Sequence, residues 1–300
     1  MTTDRAAWLE ERKKGIGGSD VAGILGLSKW STPYSIYADK RGESEPSETN
    51  VDMLIGTMVE PWLFDEYKRT TGSDVQKVPN ILYDAEYPFL LANVDGLLDD
   101  RVVEFKTARD DSEWGDPGTD QTPTGYLLQC QHYMRVTDRP MCDLGVLFKN
   151  ARKPEIVLYR IERDDDLLAL IVPKLVEFWR CVQEGIAPAA VSSADATWKY
   201  KKSEPIAVEA DDSVAGCIAE LKRIKADISM LESKQDAYEA RIKEYMQNAD
   251  TLKAGSKVLA TWKKSRDSQM IDADKLRAEM PDIAKAFSKP KAGSRKFLLK

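Results

Sequence analysis

Apolar residues recur in steps of three and four through residues 51–70, "VDMLIGTMVEPWLFDEYKRT", predicting a helix that ends at Thr71-Gly72 and bends at Pro61. The same period predicts a helix over Thr124 to Val136. It also predicts a long amphipathic one through "DDDLLALIVPKLVEFWRCVQEG", with acids at its start and Gly185 at its end. A short helix from Ser19 to Leu27 follows "GIGG", with Ser19 near its N-cap. Strand-like patterning marks 75–83, 88–94 and 101–107, and "CDLGVLFK" with "PEIVLYRIE" forms a hairpin around "NARKP". The sum is a mixed sheet with helices packed on it, of class α/β or α+β.

Residues 186–210 lose this periodicity and read as linker. Beyond them Val214, Cys217, Leu221, Ile224, Ile228, Leu231, Gln235, Tyr238, Ile242 and Tyr245 keep a heptad spacing. That seam either pairs with another copy or a partner, or packs on its own domain. The remainder, with "SKVLATWKKS", a helix near 272–287 and "SRKFLLK", reads as a small α/β module. The domain expectation is a core over 1–190, a linker over 191–210 and a C-terminal region over 211–300.

Three charged residues break the apolar pattern of "VDGLLDDRVVEFKTA". On a strand, Glu104 and Lys106 share one face while Val103 and Phe105 take the other. A turn through "LLDD" brings Asp95 alongside Glu104. Two converging carboxylates repel unless a divalent cation neutralises them, and with the Phe105 carbonyl they suit Mg²⁺ or Mn²⁺. Lys106 would then stabilise charge on a phosphoryl oxygen. The same triplet is also compatible with an ordinary Glu-Lys pair on an exposed strand. Glu60, an acid on an apolar helix, requires a partner. Tyr126, Gln129 and Tyr133 share a helix face, where Gln129 could hold water or phosphate.

The four cysteines, Cys130, Cys142, Cys181 and Cys217, have no metal or disulfide spacing and are expected as buried thiols. The single histidine, His132, excludes a histidine-rich metal centre. No run of about 18 apolar residues occurs and no hydrophobic segment opens the chain, so a cytoplasmic protein without a membrane anchor is expected. Net charge is −6, yet residues 251–300 carry thirteen Lys and Arg against five acids. An anionic partner or a solvated surface would each account for that tail.

Four blocks, "RKKGIGGSDVAGILGLS", "GTMVEPWLFDEY", "NVDGLLDDRVVEFKT" and "GYLLQCQHYMRVT", occur in an order that resembles the phage lambda exonuclease and YqaJ-type viral recombinase family, a branch of the PD-(D/E)XK nucleases. The resemblance spans roughly residues 8 to 185 and implies a nuclease core, a central mixed β-sheet flanked by helices. It implies Asp95, Glu104 and the Phe105 carbonyl as metal ligands, with Glu60 serving a second ion, so two Mg²⁺ per site with Mn²⁺ as substitute. Lys106 matches the catalytic lysine and Gln129 the glutamine beside it. Arg12, Ser19 and Asn93 fall where the family holds the 5′-phosphate. The implied activity is a 5′→3′ exonuclease on double-stranded DNA ends that releases 5′-mononucleotides and leaves 3′ overhangs for phage-type recombination. A homotrimeric ring and a single-strand annealing protein are the implied partners. An endonuclease of the same fold, or a DNA-binding accessory with idle carboxylates, is the alternative. Val94 stands where the signature has proline, and the chain from 191 onward has no counterpart in the minimal enzyme. Its C-terminal region would contact duplex phosphates or dock the annealing protein.

Overall fold

The computed structural model describes residues 2–44, 50–289 and 293–300, and divides into two units, Met1–Lys199 and Tyr200–Lys300. Helix α1 (Thr2–Arg12) leads into a two-residue strand β1 (Ile16–Gly17), then helices α2 (Gly18–Ile24), α3 (Pro33–Lys40) and α4 (Val51–Thr71). Strands β2 (Leu82–Tyr83), β3 (Leu90–Ala92), β4 (Gly96–Leu97) and β5 (Arg101–Ala108) follow. Next come helix α5 (Thr124–Thr137), strands β6 (Met141–Phe148) and β7 (Val157–Glu162), and helices α6 (Asp165–Glu184) and α7 (Ser193–Lys199). The helices expected in the first unit are all present, whereas the one expected near 272–287 is divided in two at Met280, and α4 runs without interruption through Pro61. Of the stretch 75–83 only β2 and a bridge from Gln76 to Leu97 are extended.

The main sheet has the order β4-β5-β6-β7. Its central pair β5 and β6 is parallel, with α5 as the crossover, while β4 and β7 are antiparallel to their neighbours. Strand β5 is buried on both faces. Val103 and Phe105 pack with Leu63, Phe64 and Tyr67 of α4. Val102 joins Leu144 and Val146 in the larger core under α5 and α6. Glu104 and Lys106 therefore project toward α5, as strand alternation requires.

Helix α5 is buried from Leu128 to Met134, and two of its buried polar side chains lie against backbone carbonyls. Gln131 donates to the Glu162 carbonyl at 2.7 Å, and His132 Nε2 lies 2.9 Å from the Leu91 carbonyl. Burial keeps that imidazole below its usual pKa, so His132 is a structural group.

On the opposite face of the sheet, Asp143 is buried at 3% exposure. It accepts from the Tyr67 hydroxyl at 2.7 Å, from Arg101 at 3.2 Å and from Arg160 at 3.3 Å. Removing one partner of such a buried network strands the others. Asp143→Ala is therefore expected to cost ~3–5 kcal/mol in urea denaturation; a loss below about 1 kcal/mol would show the network to be idle.

The divide between the units falls at 199/200, and α7 lies inside the stretch expected as linker. Asp195 of α7 is buried, accepting from Thr32 at 2.8 Å and from the backbone of Val191 and Ser192. The second unit holds the long helix α8 (Asp212–Met246), the hairpin β8 (Thr251–Ala254) and β9 (Lys257–Thr261), and short helices α9 (Ala273–Glu279) and α10 (Pro281–Ala286). Lys291 of the basic tail lies outside the described residues. Two thiols depart from expectation: Cys130 and Cys142 are buried, Cys181 is half-buried, and Cys217 is exposed on α8. Among the described residues no helix is long and apolar enough to cross a membrane.

Candidate active site

Pairing of β4 with β5 sets Gly96 against Val103, which places Asp95 beside Glu104. Asp95 Oδ2 accepts the Phe105 backbone N–H at 2.7 Å. A strand residue aims its N–H and its carbonyl at the same edge, so the Phe105 carbonyl faces the side where β4 has ended. Backbone and both carboxylates thus converge on one spot.

Glu104 is 4% exposed. Its Oε1 accepts from Lys106 Nζ at 2.5 Å and from Gln129 Nε2 at 2.8 Å, while its Oε2 is buried with no donor. Gln129 also reaches the Tyr133 hydroxyl at 2.9 Å, and Lys106 Nζ stands 5.6 Å from the centre of the Tyr126 ring. The helix face predicted from Tyr126, Gln129 and Tyr133 is the wall of this site.

The electrostatics are those of crowded acids. Burial, then the neighbouring Glu104 charge, pushes Asp95 up to about 7. Burial raises Glu104 as well. Glu60, exposed on α4, is raised by partial burial and then by Asp95. For Lys106 burial acts downward, but the charges of Glu104 and Asp95 outweigh it and hold the ammonium above its ordinary value.

Two clefts meet at these residues. One of about 590 Å³ is lined by Trp30, Asn50, Met53 and Glu60 along with Asp95, Glu104 and Lys106. The other, about 230 Å³, is lined by Trp8, Arg12, Ser19 and Asn93 along with the same three. All the residues expected at the site are thus brought to one of two connected spaces.

The wall around Arg12 shows what sequence reading missed. Gly17, not Ser19, is the N-cap of α2, and its N–H is taken by Asp20 Oδ2 at 2.9 Å. Asp20 in turn pairs at 2.6 Å with Lys40, a buried lysine that also donates to the Arg12 carbonyl at 3.1 Å. This brace fixes the end of α1 against the start of α2. The Arg12 guanidinium donates to Ser19 Oγ at 3.0 Å and stacks on Trp8 at 4.9 Å, while Trp8 Nε1 reaches Asn93 at 3.4 Å. Trp8 and Arg12 sit four apart on α1, a cation-aromatic spacing visible in the sequence. Lys40 gives no such signal. Gly18 permits the whole approach: a Cβ there would stand 2.6 Å from the Tyr133 ring.

Among the described residues no three His, Cys, Asp or Glu side chains form a ready-made metal cage. A site for Mg²⁺ does not need one, because that ion keeps several waters and takes one or two carboxylates. The donorless Glu104 oxygen, the adjoining Asp95 and the open Phe105 carbonyl form an oxygen donor set of that kind. The residues fit the ion, with Glu60 across the larger cleft.

Residues 7–140 match the model of the YqaJ-like viral recombinase domain. YqaJ of Bacillus subtilis (strain 168) is 33% identical over 305 residues, covering 95% of this chain and 91% of the relative. The crystal structure of the alkaline exonuclease LHK-Exo from Laribacter hongkongensis superposes with a TM-score of 0.51 at 26% identity, covering 60% of this chain and 94% of that one. The mixed sheet, the carboxylate pair at its β4 edge and these likenesses agree. The chain belongs to the YqaJ-like viral recombinase family, and its first unit is a nuclease of that fold.

Proposed function

We propose that the protein is a Mg²⁺-dependent exonuclease that degrades duplex DNA from a 5′ end, releases mononucleotides and leaves 3′ overhangs for recombination. The observation that carries this reading is the meeting of the two clefts at Asp95, Glu104 and Lys106. The smaller cleft ends in Arg12, Ser19 and Asn93, a set of donors suited to a phosphate. The larger one carries Glu60 and opens beside exposed Trp30. A strand whose terminal phosphate is held by Arg12 presents an early linkage to the carboxylates.

Divalent ions bound there would supply Lewis acidity toward water and the phosphoryl oxygens, with Mn²⁺ as a substitute. The chain's own groups do the rest. Asp95, Glu104 and the Phe105 carbonyl would hold the first ion, and Glu60 would serve a second. Gln129 holds Glu104 in place, and Lys106 sets a fixed positive charge where the pentacovalent phosphorus gathers negative charge. The Lys40–Asp20 brace orients the backbone of Arg12. A three-copy ring around the duplex, an annealing partner and a cytoplasmic setting complete the proposal.

The test uses linear duplexes labelled at either end, with 5′-phosphate or 5′-hydroxyl, and a closed circle as control. Loss from the phosphorylated 5′ end with the circle spared is expected. Arg12→Ala should slow digestion of the 5′-phosphate substrate roughly 10- to 100-fold, the worth of hydrogen bonds to a charged group, and leave the 5′-hydroxyl substrate unchanged. Digestion from the 3′ end would overturn the polarity, and equal wild-type rates on the 5′-phosphate and 5′-hydroxyl substrates would remove the role given to Arg12.

A further inference from the structure

Helix α8 spans 35 residues, and Met246 is its one buried residue among those described. Its heptad seam faces solvent: Tyr238 is 66% and Tyr245 79% exposed, and Ile224, Ile228 and Leu231 are exposed too. A regular apolar seam of this length is the signature of a coiled coil, and the charges flanking it state which one. We infer that α8 pairs with α8 of a second copy of this chain in antiparallel register.

The seam alternates Val214, Leu221, Ile228, Gln235 and Ile242 with Cys217, Ile224, Leu231, Tyr238 and Tyr245. Run antiparallel and fully overlapped, it seats large on small: Tyr245 on Val214, Ile242 on Cys217 and Tyr238 on Leu221. Leu231 meets Ile228 at the centre. Gln235, beside Ile224, has its amide held outward by Glu239 of its own helix at 2.9 Å.

The flanks then complement one another. Glu220 faces Arg241 and Asp227 faces Lys234 on one side, and Lys225 faces Glu232 on the other. Twofold symmetry makes each pair twice, and no like charges meet. A parallel pair would keep two favourable flank pairs, Glu220 with Lys225 and Lys234 with Glu239, but would set Asp227 against Glu232 and stack Tyr on Tyr in two layers. The order of charges therefore selects against the parallel arrangement.

The lone exposed thiol of the helix supplies the test in the full-length chain. Cys181→Ser removes the half-buried thiol elsewhere. In the antiparallel pair the two residue-217 thiols lie about 37 Å apart along the axis, so this background should form no 217-to-217 disulfide on mild oxidation. Adding Ile242→Cys should link position 217 of one copy to 242 of the other, read as a cross-linked peptide pair by mass spectrometry. That readout is independent of any ring formed by the first unit. Asp227→Lys should weaken association roughly tenfold, and adding Lys234→Asp should restore it. A 217-to-217 link, tighter association in Asp227→Lys, or no link in the Ile242→Cys chain would overturn the proposal.

Discussion

Asp95→Asn is expected to abolish nuclease activity and yet raise the melting temperature of the metal-free protein at pH 8. The loss follows from removing an anionic ligand. The gain follows from the crowding of acids at the β4 edge. Asparagine keeps an oxygen for the Phe105 N–H and offers an amide N–H toward Glu104, whose Oε2 has no donor. The carboxyl of Asp95 titrates at about 7 in the fold against 3.8 as its ordinary value, so the folded chain binds this proton more tightly than the unfolded one. Stability from this group is complete below pH 4 and is lost as pH rises through 4 to 7; above 7 the ionised group is a standing cost. At 1.36 kcal/mol per unit, reduced for partial water access, that cost is ~2–4 kcal/mol. For a unit of this size it amounts to roughly 5–10 °C in melting temperature. Scans in EDTA at pH 5 and pH 8 should show wild type falling more steeply than the variant, and Mg²⁺ should recover the wild type alone. A variant no more stable than wild type at pH 8 would refute the strain, and retained hydrolysis would refute the ligand role.

That such a site could be read from the sequence at all rests on local geometry. Strand alternation sets Glu104 with Lys106 and against Phe105, and the tight "LLDD" turn leaves Asp95 few places other than beside Glu104. The α5 face and the stripe of α6, with Leu168, Ile171, Leu175 and Phe178 buried, follow the helical period for the same reason. What stayed hidden depends on partners far along the chain. Asp195 takes the Val191 and Ser192 N–H groups at the start of α7, inside an apparent linker, but its bond to Thr32 crosses 163 residues. Lys40 is buried because Asp20 and the Arg12 carbonyl wait for it, and neither spacing nor composition announces that. The N-cap shifted from Ser19 to Gly17 because Asp20 claims the Gly17 N–H, leaving the Ser19 hydroxyl to accept from Arg12. The strand expected over 75–83 shrank to Leu82–Tyr83, since among those residues only Gln76 finds a further bridge.

Lys106→Met is expected to act in the opposite sense on stability and the same sense on activity. Methionine fills the space of the lysine stem without its charge, so packing against Tyr126 is largely kept. Turnover should fall about 10²- to 10³-fold, the usual cost of removing one group aimed at developing negative charge, with duplex affinity in Ca²⁺ unchanged. That combination would also exclude a DNA-binding accessory with idle carboxylates. The metal-free variant should lose ~3 kcal/mol at pH 8, because Glu104 keeps only Gln129 as donor and loses the cation that offsets its burial. Without that cation the carboxyl of Glu104 shifts further upward, so the deficit must shrink as pH falls and the group protonates in the fold. Removing an acid relieves the site and removing the base burdens it, which is the behaviour of three charges balanced for a bound cation. A Lys106→Met protein as stable as wild type at pH 8 would mean that Glu104 is already neutral there, and the case for a waiting metal site would fall with it.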